Sequence, residues 1–212
     1  IAKGFSGLYL DANAISAKRA RTIDKKMKAG GADFVDGGII GGPAWKPKET
    51  WLYLSGKKAE SIASIFSKGP LETKSIGDEA GRASALKMCY AAYTKGTTAL
   101  LSAILAAAES NGVREELYQQ WEMDESGFSE KVNRRARRVT AKAWRFEGEM
   151  KEIAETFEEA GLPGGFHLAA AEIFHRMAGF KDQAQPPELD EVLDILLQKP
   201  SCYTMASPED QP

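Results

Sequence analysis

The chain of 212 residues lacks any recognisable glycine-rich phosphate-binding loop. Neither G-x-G-x-x-G nor G-x-x-x-x-G-K-[ST] occurs in it. A dinucleotide pyrophosphate binds where such a turn leads into the N-terminus of a helix, because the turn exposes backbone N–H groups and the helix dipole favours an anion. Taken alone, these residues therefore do not predict NAD binding.

Cysteine and histidine are scarce, with two residues of each. Cys89 and Cys202 lie far apart, one in an apolar predicted helix and one in a polar tail, which indicates free thiols in a reducing compartment. His167 and His175 are eight residues apart, whereas two imidazoles on one helix share a metal when four residues separate them. We expect ordinary helix histidines and no metal site.

The chain also lacks a charge excess and a long apolar run. Lys and Arg number 28 against 30 Asp and Glu, so a formal net charge of −2 gives no electrostatic reason to bind nucleic acid or a membrane surface. The most apolar stretch, TTALLSAILAAAES, is too short and too rich in serine and threonine to span a bilayer. No signal peptide is visible, and we expect a cytoplasmic protein.

The first third of the chain alternates β-rich and helical segments. The β-rich segments are 8–16, 33–42 and 51–56, and the helical segments are 18–31 and 57–67. This βαβ pattern implies a partly parallel sheet flanked by helices, so we predict an α/β domain over residues 1–75. Because it begins abruptly at a strand, we expect the chain to be the later portion of a larger protein.

The remainder, residues 76–212, is predicted to be an all-helical domain. Its first helix, 79–111, is about 50 Å long at 1.5 Å per residue and apolar on nearly every face, so we expect it to be buried in a helical core or between protomers. Shorter predicted helices are 113–123, 129–145, 146–160, 165–178 and 188–198. The last dozen residues are predicted to be disordered.

A lysine interrupts the apolar stretch ALKMCYAAYTKG of the long predicted helix. The helical neighbours of Lys87, three, four and seven residues away, are small or polar: Ala83, Ser84, Tyr90, Ala91 and Thr94. A lysine among such residues is able to lie beside a cleft. Spacing alone nevertheless favours a lysine whose amine extends to the helix surface.

Four segments in order, YLDANAIS, FVDGGIIGG, GRASALKMCYAAYTKG and FEGEMKEIAETFEEAGLP, resemble the β-hydroxyacid and 6-phosphogluconate dehydrogenase superfamily. The similarity covers about residues 8 to 180 and is greatest to the branch defined by the phosphogluconate dehydrogenase NAD-binding C-terminal domain. It implies the later strands of a Rossmann-like sheet followed by a helical substrate and dimerisation domain. The family's N-terminal half, which carries G-x-G-x-x-G, is missing from this chain.

The resemblance implies a substrate site on two motifs. The family's D-G-P-V-S-G-G falls on residues 36–42, where Gly41 and Gly42 line the substrate pocket and Ile40 replaces a serine. The family's catalytic lysine falls on Lys87, as general acid/base for the hydroxyl proton. Ala91 replaces the family's asparagine, and Thr94, one turn further along, is the candidate replacement donor.

The resemblance also implies NAD or NADP as cofactor. The family's cofactor-side K-D falls on Gly148 and Glu149, so that lysine is lost, and Asn13 follows the first strand where relatives carry a polar residue near the nicotinamide ribose. For Lys87 to work near neutral pH its pKa must fall from about 10.4 toward about 7–8, which burial among apolar neighbours achieves. The altered positions imply an unusual substrate.

Two further features have a plainer interpretation. The basic segment 131–145 has acidic flanks, which favour a solvated helix face; binding of a substrate or cofactor phosphate, or of nucleic acid, is the alternative. Asp11 and Asp36 are interpreted as turn carboxylates.

The resemblance as a whole implies an NAD(P)-dependent dehydrogenase acting on a hydroxy-acid-like small molecule. The helical domain is expected to form a homodimer through the long helix, and this chain alone is expected to be inactive without a cofactor-binding part. A catalytically incompetent scaffold for dimerisation or partner binding is the alternative. An imine reductase is a third possibility, but such relatives usually replace the lysine that is present here as Lys87.

Overall fold

The computed structural model describes residues 4–198; Cys202 and the tail predicted to be disordered lie outside them. Four strands and eight α-helices occur in this range. They are β1 (Leu8–Asp11), α1 (Ala17–Ala29), β2 (Asp33–Gly41), β3 (Thr50–Ser55), α2 (Ala59–Phe66), β4 (Glu72–Ser75), α3 (Arg82–Ala91), a π turn (Ala92–Gly96), α4 (Thr97–Ser110), α5 (Arg114–Asp124), α6 (Phe128–Glu159), α7 (Gly165–Arg176), a 3₁₀ turn (Met177–Phe180) and α8 (Leu189–Leu197).

The four strands form one mixed sheet in the order β1-β2-β3-β4, which confirms the partly parallel α/β prediction. β1 pairs with β2 and β3 with β4 in parallel, whereas β2 and β3 are antiparallel. The polar sequence of β4, ETKS, carries no hydrophobic alternation, so the strand was not predicted. It forms because its backbone continues the ladder beside β3, which no sequence pattern records.

The sheet has a core on each face. On one face Val35, Leu52 and Leu54 pack against α2. On the other, Phe34 packs against Met27 of α1. The alternation of side chains along each strand explains why neighbouring residues of β2 serve both cores.

The helices form a separate and larger core around Met88, Leu105, Met150 and Phe174, all fully buried. This confirms the predicted change to an all-helical second part. The division into domains at residues 1–75 and 76–212 stays a prediction.

The long predicted helix exists as α3, the π turn and α4 in one continuous run, but it is not buried on nearly every face. Leu86, Tyr90, Tyr93 and Leu100 are exposed along one side. Apolar composition did not reveal this, because the buried sides of the helix are filled with alanine and small polar residues.

The two helices predicted at 129–145 and 146–160 are wrong, because α6 runs through both as one helix of 32 residues. A continuous row of buried side chains crosses the predicted break, with Ala143, Phe146 and Met150 among its members. Burial of this row offsets the cost of Gly148 in a helix interior, about 1 kcal/mol relative to alanine.

Polar contacts join the start of α1 to the second half of α6. The backbone N–H of Ser16 donates to Glu152 (2.7 Å), and its hydroxyl donates to Glu155. Arg19 pairs with Glu152 at 2.6 Å. These contacts fix the α/β part against the helical part, and the candidate site lies where the two meet.

No helix among residues 4–198 combines the length and the apolar character needed to cross a membrane.

Candidate active site

Lys87 lies at the carboxyl end of β1, where ligands commonly bind in parallel sheets. Its Nζ donates to the carbonyl oxygen of Ala12, the first residue after β1, at 3.3 Å. The helix that carries it passes very close to β2, because a Cβ added at Gly38 would lie 2.6 Å from the Ala83 carbonyl oxygen and 3.2 Å from Lys87 Cβ. Gly38 therefore allows the close approach that holds Lys87 against the sheet.

Asp36 fixes the N-terminus of α3 and is far more than a turn carboxylate. It is fully buried in β2 and accepts from the backbone N–H groups of Gly81 and Ser84, both at 2.9 Å. The hydroxyls of Ser84 (2.5 Å) and Ser55 (3.0 Å) also donate to it. An ionised carboxylate only accepts hydrogen bonds, and its two oxygens are able to accept from all four of these donors. Asp36 of β2 therefore caps the N-terminus of α3.

The surroundings of Lys87 lower the pKa of its amine below the usual 10.5. Partial burial is the largest cause, because removal from water disfavours the ammonium form. Glu149 opposes this and raises the pKa, whereas the positive charge of Lys95 lowers it; Asp11 and Asp36 contribute smaller increases. The lysine therefore has the direction of pKa change that a general base requires.

Lys95 is a site residue that the sequence analysis missed. It forms an ion pair with Glu149 of α6, and its Nζ lies 4.5 Å from the centre of the Phe146 ring. Lys95 follows Lys87 by eight residues. In a regular α-helix this separation rotates the side chain by two full turns and about 80° more, so Lys95 would point away from the face that carries Lys87. The π turn at Ala92–Gly96 advances less per residue and so returns Lys95 toward that face.

The π turn is stabilised from α6. The Thr94 carbonyl accepts from the Thr98 hydroxyl (2.7 Å) and from the Arg135 guanidinium, which also contacts Thr98 Oγ1 at 2.5 Å. The Thr94 hydroxyl itself donates to the Tyr90 carbonyl (3.1 Å). In this structure it satisfies its own helix, and its role as a replacement for the asparagine that Ala91 replaces stays a prediction.

Asn13 and Glu149, the two residues predicted to lie near the cofactor, have different hydrogen-bond partners. Asn13 is exposed, and its backbone N–H (2.9 Å) and side-chain amide (2.7 Å) both donate to Asp11 Oδ1. Its side-chain oxygen forms no hydrogen bond with residues 4–198 and is an available acceptor. Glu149, in contrast, is engaged by Lys95.

Gly41 and Gly42 differ in their local surroundings, and their predicted role as the lining of a substrate pocket stays a prediction. Gly41 has φ +124°, and a Cβ there would lie 2.5 Å from the Glu49 carbonyl oxygen, so the path from β2 to β3 requires glycine. Gly42 is exposed with no atom within 4 Å of an added Cβ. Gly41, Gly42 and the half-buried Ile40 follow Gly38 in the chain. At 3.3 Å per residue, Gly41 lies about 10 Å from Gly38 along β2.

Gly38→Ala is expected to destabilise the fold by about 1–3 kcal/mol, because its methyl group meets a backbone carbonyl that cannot rotate away. Thermal unfolding measures this. Gly42→Ala is the matched control, since the new methyl group enters open space and Tm should change by less than about 1 °C. Equal losses of Tm in the two variants would contradict the close packing of α3 on β2.

The two histidines lie in different environments. His167 is buried, its Nδ1 has no partner among the described residues, and its ring contacts Phe157 with centroids 4.2 Å apart. Burial lowers the pKa of His167. His175 is exposed beside Glu147, with 3.0 Å between Nδ1 and Oε2. No group of three or more potential metal ligands occurs within residues 4–198.

Residues 108–177, roughly a third of the chain, match the model of a domain of unknown function, DUF1932. The conserved protein MTH1747 of unknown function, whose structure is described as similar to 3-hydroxyacid dehydrogenases, is 30% identical with a TM-score of 0.63 over 82% of this chain. This chain shares the fold of MTH1747, and its residues 108–177 match DUF1932. The resemblance found in the sequence is thereby confirmed.

Other relatives agree on this fold. A conserved hypothetical protein from Sinorhizobium meliloti is 25% identical with a TM-score of 0.70 over 89% of this chain. The 3-hydroxyisobutyrate dehydrogenase of Salmonella typhimurium shares the fold at 16% identity and a TM-score of 0.58, over 89% of this chain and 69% of that one. An uncharacterised 28.5 kDa protein of Methanothermus fervidus is 33% identical over 117 residues, which are 55% of this chain.

The matched part is shorter than these relatives. It amounts to 44% of the Methanothermus protein, 65% of the Sinorhizobium protein and 66% of MTH1747.

Proposed function

We propose that this chain is the substrate-side portion of an NAD(P)-dependent dehydrogenase that acts on a hydroxy-acid-like small molecule. The observation that carries the proposal is the placement of Lys87. Its half-buried amine lies at the carboxyl end of β1, against a backbone carbonyl and with a lowered pKa. A group poised in this way is suited to exchange a proton with a substrate hydroxyl.

Lys87 does the proton chemistry in this proposal. In the oxidative direction its neutral amine accepts the hydroxyl proton as the carbon–oxygen double bond forms. In the reductive direction its ammonium donates that proton to the carbonyl oxygen. The nicotinamide supplies the hydride acceptor or donor. Glu149 raises and Lys95 lowers the pKa of Lys87, and burial lowers it further, so the pKa lies below its usual value.

The described residues suit only the nicotinamide end of such a cofactor. The exposed Asn13 offers a free side-chain oxygen close to the Ala12 carbonyl that Lys87 contacts. The chain carries no glycine-rich turn for a pyrophosphate. We therefore assign the pyrophosphate site to sequence outside these residues, and turnover to the protein that contains both parts. The exposed free thiol of Cys89 suits a reducing compartment such as the cytoplasm.

Nucleotide titration of the full-length protein tests the proposal. We expect NADH or NADPH to quench protein fluorescence with a saturable dissociation constant. Addition of the matching oxidised nucleotide should then support turnover of one member of a panel of 3-hydroxy acids. If neither nucleotide binds the full-length protein, the dehydrogenase assignment is wrong.

The scaffold without activity is the second candidate, and specific positions favour it. Ile40, Ala91 and Gly148 stand where the family has serine, asparagine and lysine, and the Thr94 hydroxyl is engaged by the Tyr90 carbonyl. Nucleotide binding without turnover on any hydroxy acid would favour this candidate.

We also propose that a second copy of the chain covers the exposed side of the long helix. Leu86, Tyr90, Tyr93 and Leu100 follow one another there at spacings of four, three and seven residues. Such a row of exposed apolar side chains on one helix is typical of an interface.

Tyr93→Asp is expected to weaken dimerisation at least tenfold, because it places a charge in the middle of this apolar row. Sedimentation velocity over a concentration series measures the effect. Ile65→Asp is the control, since Ile65 on α2 is exposed to the same extent, 69%, and lies outside the row. A monomer at all concentrations, or equal weakening by both variants, would refute the interface.

A further inference from the structure

The first half of α6 presents a row of cations on one face. Lys131, Arg135, Arg138 and Lys142 are separated by four, three and four residues, so they lie along one side of the helix over about 16 Å. With four other residues they line a groove of about 400 Å³. These are Thr98, Arg134, Val139 and Phe146.

Little negative charge compensates this row. No acidic residue lines the groove. Lys131 and Arg134 have the acidic partners Glu125 and Glu130, each at 3.4 Å in an exposed pair that contributes little to stability. Arg135 contacts only the neutral oxygens of Thr94 and Thr98.

Arg138 and Lys142 have even fewer contacts. Neither side chain forms an ion pair or a hydrogen bond with any residue between positions 4 and 198. A solvated basic face, as expected from the sequence, would carry interleaved acidic partners like those of Arg134. Of the cations that line the groove, Arg135, Arg138 and Lys142 have no acidic partner among residues 4–198.

We propose that this groove binds a small molecule through a phosphate or diphosphate group. Guanidinium groups present paired N–H donors that match phosphate oxygens, and a lysine adds a compact positive charge. Val139 and Phe146 give the groove an apolar wall for the remainder of the ligand, and its volume is that of a small-molecule site.

A nucleic acid fits the same groove less well. The row is a single line of about 16 Å, and the helix that precedes it, α5, carries the acidic residues Glu115, Glu116, Glu122 and Asp124. The net charge of the chain is −2. A nucleic acid surface would extend a positive field well beyond one groove.

The groove is adjacent to the Lys87 site without being part of it. Phe146 lines the groove and also carries Lys95 over its ring. Arg135 lines the groove and also holds the Thr94 carbonyl of the π turn. A bound phosphate would therefore contact the residues that hold the π turn in place, whatever reaction Lys87 performs.

Calorimetric titration of the full chain with inorganic diphosphate, at constant ionic strength set by sodium chloride, tests the proposal. We expect one saturable site. Arg138→Gln and Lys142→Gln should each weaken it at least tenfold, and both variants should fold because neither side chain has a partner to lose. Lys151→Gln is the control: it removes the same charge from the second half of α6, where Lys151 pairs with Glu147 at 2.6 Å, and should change binding less than twofold.

Three results would overturn the proposal. One is the absence of saturable diphosphate binding to a chain that melts cooperatively. Another is an equal loss in Lys151→Gln, which would indicate nonspecific charge attraction. The third is a single-stranded oligonucleotide that binds more tightly than diphosphate and loses affinity in the Arg138 and Lys142 variants, which would assign the groove to nucleic acid. None of these readouts depends on dehydrogenase activity.

Discussion

Lys87→Met is expected to lower kcat of the full-length enzyme by about 10²–10⁴-fold, the usual contribution of a positioned acid/base. Methionine keeps the apolar stem of the lysine and removes only the amine that exchanges the proton. Nucleotide affinity should change little, because the proposal places the Lys87 amine at the substrate hydroxyl and not at a cofactor phosphate. Steady-state kinetics together with nucleotide titration measure both quantities.

Lys87→Arg separates a proton-transfer role from a purely electrostatic one. Arginine keeps the positive charge, but its guanidinium is not deprotonated at accessible pH, so it does not act as a base. We expect this variant to be as inactive as Lys87→Met. Recovery of turnover in Lys87→Arg would show that the charge alone is needed and would remove the general acid/base from the mechanism.

The lowered pKa of Lys87 also predicts two pH effects. Oxidation requires the neutral amine, so its rate should rise with pH and level off at an inflection below 10.5. In the folded protein the ammonium form of Lys87 is disfavoured. At every pH below the folded pKa this lowers the free energy of unfolding by its full amount. That cost disappears as pH rises from the folded pKa toward 10.5, because the unfolded chain binds more protons in this window.

Lys87→Met should therefore raise Tm near neutral pH. About 1 kcal/mol corresponds to roughly 2–4 °C for a chain of this size, and we expect a smaller rise because the amine is only partly buried. The gain should vanish above pH 10.5. A stability gain paired with lost activity is characteristic of a functional site, whereas a lysine that merely packs on the surface would show neither.

Asp36→Ala is expected to destabilise the protein by about 3–5 kcal/mol, which is the largest loss of stability among the proposed variants. It leaves the buried N–H groups of Gly81 and Ser84 and two hydroxyls without their acceptor. The start of α3 loses its cap, and Lys87 one and a half turns later loses its fixed position. Chemical denaturation measures the loss.

Ser84→Ala is the graded control for this experiment. It removes one of the four donors to Asp36 and leaves the other three, so it should cost about 1–2 kcal/mol. A small effect of Asp36→Ala, equal to that of Ser84→Ala, would mean that α3 holds its start without the carboxylate.

Local patterns predicted most of the secondary structure. The β-rich run FVDGGIIGG predicted β2, glycine and asparagine predicted helix ends, and the apolar run predicted the long helix. The break predicted between residues 145 and 146 is wrong because a row of buried side chains on both sides of that point keeps α6 continuous. β4 was not predicted because it forms through backbone pairing with β3, which no pattern in its own sequence records.

The sequence by itself determined that Lys87 follows a glycine-rich strand at the start of a long helix, and it determined the family resemblance. Tertiary structure alone decided how that lysine behaves. Its pKa depends on burial and on Glu149, which is 62 positions away in the chain, and the Lys95–Glu149 pair and the Asp36 cap join residues that no helical or strand spacing relates. Contacts between distant segments set the electrostatics of the site, because charge interactions depend on separation in space and on access of water.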